Sequence, residues 1–144
     1  MRKSFQCALL VLFTSTVAST AAAQTVYIDC TITLNQRPQT WSFAVGANGA
    51  DSLSYYDSGT TTWVSPCKLF FDTVPCTVSV NSSQVRFSAT LNTYGLVLVN
   101  AASIDRTSAE IVFTSTNSKN PGDNYSATGK CVRGQNPATK PRAF

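Results

Sequence analysis

The 144-residue chain contains no histidine. That absence removes Ser-His-Asp and Cys-His nucleophilic catalysis and the usual proton shuttle at neutral pH. No glycine-rich loop follows a strand pattern and opens a helical one, so nucleotide binding has no support and no cofactor is expected. Charge is scarce, at 12% of residues, and the formal net charge of +4 drops by the two cations Arg2 and Lys3 to +2 if the N-terminal segment is removed. That is too little for the dense basic stripe a nucleic-acid binder needs, so no nucleic-acid partner is expected. Beyond the first 23 residues no apolar run is long enough to span a bilayer, and no segment shows the apolar period of a helix.

What is present begins with a secretory pattern. Arg2 and Lys3 form a positive start, Phe5 to Phe13 an apolar stretch that includes Cys7, and Ala21-Ala22-Ala23 the small residues a signal peptidase needs. Residues 1–23 are therefore expected to be a cleaved signal peptide, with Gln24 the first residue of a secreted or periplasmic protein. Four cysteines remain, Cys30, Cys67, Cys76 and Cys131. An even number in a small exported chain argues for disulfides, because the compartment is oxidising and the core small. Zinc is disfavoured by the missing histidine and by the spacings.

The dominant period after residue 24 is two. Val26, Ile28, Cys30, Ile32 and Leu34 share one face, and Tyr27, Asp29, Thr31 and Thr33 the other, the pattern of a half-buried strand. Gln36-Arg37-Pro38 reads as a turn, and Trp41, Phe43 and Val45 as the inward face of the next strand. Short strands follow at Leu53–Tyr56 and Thr61–Val64. Cys67, Leu69 and Phe71 read as one face of a further strand, turning at Asp72-Thr73 into Val74, Cys76, Val78 and Val80. Val85, Phe87, Ala89 and Leu91 then alternate, Leu96–Val99 is apolar on both faces, and Ile104-Asp105 and Glu110–Phe113 flank the turn at residues 106–109. Tyr125, Ala127, Gly129 and Cys131 close the pattern. The expected fold is all-β: a single antiparallel β-barrel or sandwich of about eight short strands over residues 24–132, with two disulfides. Residues 133–144, with Arg133, Lys140 and Arg142 among Pro137 and Pro141, are expected to be a flexible basic tail. Cys67 and Cys76 flank one short connection and so should pair, which leaves Cys30 on the first strand to join Cys131 on the last.

A carboxylate pair is the remaining route to hydrolysis. If the hairpin turns at Thr107-Ser108, Asp105 and Glu110 face each other across it, at a separation like that of a retaining glycosidase. Both, like Asp51 and Asp57, read better as turn residues, and a non-enzymatic protein is expected. Tyr55, Tyr56 and Trp63, among serine, threonine and glycine, have the adaptable aromatic composition of binding loops. Phe70, off the Leu69/Phe71 face, is a further candidate exposed aromatic.

Ile104-Asp105-Arg106-Thr107, then Gly129-Lys130-Cys131, then a basic stretch ending in Phe144, resembles a group of small exported bacterial β-proteins of unassigned function. In that group an Ile-Asp-Arg-x-Thr-Gly turn precedes a Gly-x-Cys strand and a terminal Phe. Tyr27-Ile28-Asp29-Cys30 is similar to its opening strand, and Ala109 stands where the group carries glycine. The resemblance implies export and a β fold. A looser likeness is to periplasmic inhibitors of c-type lysozyme, in size, barrel architecture and a cysteine link between terminal strands, with Tyr56-Asp57-Ser58-Gly59 a fragment of their inhibitory loop. The expectation is a binding module for a macromolecule or envelope component. Its alternatives are an inhibitor of a lysozyme or other cell-wall hydrolase, and a carrier of a small apolar ligand.

Overall fold

Alternating side chains become strands wherever an antiparallel partner is available, and the structure, a computed structural model, shows nine among its described residues. Those residues are 24–46, 52–71, 74 and 76–139. The expected signal peptide, Asp51, the Asp72-Thr73 turn, Lys140, Arg142 and Phe144 lie outside them. The strands are β1 (Val26–Leu34), β2 (Arg37–Val45), β3 (Leu53–Asp57), β4 (Thr62–Val64), β5 (Cys76–Val80), β6 (Gln84–Thr93), β7 (Leu96–Asp105), β8 (Glu110–Asn117) and β9 (Tyr125–Arg133).

All nine form one antiparallel sheet in the order β4-β3-β2-β1-β9-β8-β7-β6-β5, curled into a half-barrel. The sandwich alternative is thereby set aside. Two meanders, β1–β4 and β5–β9, are joined in the middle of the sheet where β1 pairs with β9. Cys30 and Cys131 are direct cross-strand partners there and are bonded to each other, as are Cys67 and Cys76. Both bridges are those expected from the sequence.

The concave face holds the core. Ile32, Phe43, Val85, Phe87, Ile104, Ile111 and Phe113 are buried on it. Burial of each such side chain is worth about 1.5–3 kcal/mol. An aromatic chain runs through this layer: Phe43 meets Phe87 at 5.4 Å, Phe87 stacks on Phe70 at 5.5 Å, and Phe70 meets Phe113 at 5.4 Å between ring centroids.

Three local readings need correction. The segment Pro66–Leu69 is a 3-10 helix and not a strand: Lys68 N–H donates to Ser65 O and Phe70 N–H to Cys67 O. It lies between β4 and β5, the two edges of the sheet, where no neighbouring strand supplies a ladder, and Pro66 starts it with a fixed φ and no donor. In consequence Phe70 is not an exposed aromatic; it packs inward on Phe87 and Phe113. The first hairpin turns at Asn35-Gln36, both with positive φ, as a two-residue hairpin loop between right-twisted strands requires. Arg37 and Pro38 already belong to β2, and Pro38 is tolerated because β3 pairs only with Phe43–Val45, which leaves that side of β2 an open edge. At the other end β9 includes Arg133, and the Gly134 N–H bonds to Tyr27 O, so pairing runs past residue 132.

Candidate functional site

The pleat separates the predicted aromatic trio. Tyr55 pairs with the inward Phe43 and packs against it at 6.0 Å, on the concave side. Burial, reinforced by the negative charge of Asp57 and opposed by Lys68, pushes its phenol pKa up. Tyr56 and Trp63 are direct cross-strand partners on the opposite, convex face, with ring centroids 5.2 Å apart. There they are joined by Tyr27, whose ring lies 5.7 Å from that of Trp63.

Tyr27 and Trp63 belong to β1 and β4, three strand spacings apart, or roughly 14 Å of backbone. Their rings meet because the intervening convex positions, Ala44 on β2 and Ser54 on β3, are small and in register with Tyr27. Ala44 is 1% exposed although it faces outward, whereas the three rings are only half-buried. The result is an aromatic cluster on the convex face. Beside it the Ser42 hydroxyl donates to Asp29 Oδ1 at 2.6 Å. Tyr27 carries a signal that could have found it: it is the one aromatic among the outward positions of β1.

The hairpin joining β3 to β4 is braced next to this cluster. Asp57 accepts hydrogen bonds from Gly59 N–H and Thr60 Oγ1 and pairs with Lys68 Nζ at 2.8 Å. Lys68, then Thr60 and the Gly59 amide, hold its carboxyl down to about 2.

Asp105 and Glu110 are direct cross-strand partners at the β7–β8 turn. Their chemistry is that of a turn. Asp105 Oδ1 accepts the N–H groups of Thr107 and Ser108, and these bonds, that of Ser108 foremost, lower its pKa. Glu110 faces Lys130 at 3.7 Å on the exposed side. An acid catalyst of a glycosidase needs a raised pKa, and that of Asp105 is moved the other way. Among the described residues no three His, Cys, Asp or Glu side chains gather as metal ligands.

A cavity of about 330 Å³ opens at the end of the half-barrel where β1 begins and β9 ends. Val26, Ile28, Val45, Val85, Ile104 and Cys131 form its apolar wall, and Asp105, Arg106 and Arg133 stand among its polar lining. At the opposite end Tyr94 is 97% exposed in the β6–β7 turn, with a positive φ that a bulky residue rarely adopts.

Among the described residues no helix is long and apolar enough to cross a membrane. The two disulfides fit an oxidising environment. Comparison with family models, with curated proteins and with solved structures finds no match to the chain.

Proposed function

We propose that the protein is an exported, non-enzymatic binding domain that takes an envelope glycan on its convex aromatic face. The observation that carries this reading is the cluster of Tyr27, Tyr56 and Trp63, half-exposed and drawn together over Ala44. Aromatic faces give large contact area at little cost in side-chain entropy, and the tyrosine hydroxyls and the Asp29–Ser42 pair supply hydrogen bonding at the margin. The signal-like N-terminus and the two disulfides support export. The occupied carboxylates at the β7–β8 turn support a role in binding over one in catalysis.

The test is co-sedimentation with insoluble peptidoglycan. The wild-type protein should pellet with the glycan, and Trp63→Ala or Tyr56→Ala should weaken binding about tenfold, the loss expected of an aromatic hot spot. Tyr94→Ala, which removes an exposed aromatic at the far end, should bind as wild type does. Absence of co-sedimentation, or unchanged binding by Trp63→Ala, would reject the proposal.

A further inference from the structure

The end cavity combines features that the aromatic face does not use. Its floor is fixed by the sheet, where Val85 and Ile104 are fully buried cross-strand partners and Cys131 is held by its disulfide, and its accessible apolar surface comes from the half-buried Val26 and Ile28 of β1. Its mouth carries two guanidinium groups. Arg106 is anchored at one nitrogen, Nη1 donating to Asn81 O at 2.7 Å. Arg133 lies opposite Ile28 at the end of β9, exposed, and makes no ion pair or hydrogen bond among the described residues. Asp105 is the anion nearby, and its Oδ1 is already bonded to two amides of its own turn. The site thus offers a mainly apolar recess with a surplus of cationic donors at the rim.

We infer that this cavity binds a single-chain anionic amphiphile of the fatty-acid class, its tail against Val26 and Ile28 and its carboxylate at Arg133 and Arg106. The volume is at the small end of ligand cavities, which suits one acyl chain and leaves no room for the two chains of a phospholipid. The planar guanidinium matches a carboxylate in two hydrogen bonds, so the head group is chosen by geometry as well as by charge. The inference is independent of the glycan reading, since the lining shares no residue with the aromatic cluster.

The experiment is calorimetric titration of the disulfide-bonded protein with decanoate, decanol and butyrate, with methyl NMR to locate the ligand. Decanoate should bind one to one and shift the methyl signals of Val26 and Ile28. Decanol, with the same tail and no charge, should bind about tenfold more weakly, the factor carried by one charge-assisted hydrogen bond, and butyrate should not bind. Arg133→Ala, on an exposed side chain that folding does not need, should weaken decanoate about tenfold and leave decanol unchanged. Equal affinity for decanoate and decanol would overturn the inference. So would shifts confined to other methyl groups, or decanoate binding unaltered by Arg133→Ala.

Discussion

At the scale of single residues, polar side chains mostly organise their own turns, and Asp57 shows what that is worth. Its carboxylate draws together the β3–β4 turn and, through Lys68, the 3-10 segment that follows. The folded pKa is held at about 2, below the ordinary 3.8. A group depressed in this way contributes stability that is fully present above its unfolded pKa and is lost as pH falls through the folded value. Asp57→Ala should therefore lower the melting temperature at pH 7, and the gap from wild type should close between about pH 4 and pH 2. Melting curves of both proteins across that window check it, and a gap that persists at pH 2 would mean that the loss comes from packing. Such roles were only half legible in the sequence: Asp57-Ser58-Gly59 announces a turn, but the partner Lys68 is brought in by the chain reversal after β4. Ala109 makes the same point. It adopts φ 54°, a left-handed conformation that glycine takes without strain and that the identity of the residue does not announce.

At the scale of elements, alternation located the strands well because each has one face on a shared core. Its failure at residues 67–71 is instructive: Cys67, Leu69 and Phe71 alternate, yet a strand also needs a neighbour, and none is available between the two sheet edges. Nor could the pattern reveal which outward rings would meet, since the contact of Tyr27 with Trp63 depends on the order of four strands. Close approach is likewise invisible until strands are paired. Gly129 lies on β9 opposite Ile32 of β1 and Ile111 of β8, and a Cβ there would collide with the Thr31 carbonyl oxygen and crowd the Ile32 backbone. Backbone cannot yield as a flexible side chain does. Gly129→Ala should cost about 3 kcal/mol or prevent folding, at the upper end of overpacking penalties. Gly122→Ala, with open space around it, should change stability by no more than about 0.5 kcal/mol. Urea denaturation of the pair decides the matter, and equal stabilities would show that β1 can move away from β9.

At the scale of the whole molecule, a half-barrel leaves its closure to cross-links and to the segment that fills its open side. The two disulfides divide that work unequally. Cys30–Cys131 joins adjacent strands at the centre of the sheet and closes a loop of sequence separation 101, whereas Cys67–Cys76 spans 9 and ties the 3-10 segment to β5. On chain entropy alone the first should stabilise by about 4.7 kcal/mol and the second by about 2.6 kcal/mol. Packing argues the other way, because the short bridge fixes the segment that carries Phe70 onto Phe87 and Phe113 and so covers the concave core. The entropy difference is about 2 kcal/mol, and loosening Phe70 would have to forfeit most of one buried aromatic to offset it. Since Phe70 is also held by the Asp57–Lys68 pair two residues away, the entropy term should win. Replacing Cys30 and Cys131 together by alanine should thus destabilise the protein more than replacing Cys67 and Cys76 together, by about 2 kcal/mol in urea denaturation. The reverse order would mean that the half-barrel depends chiefly on its covering segment, with the β1–β9 seam stable through its ladder alone.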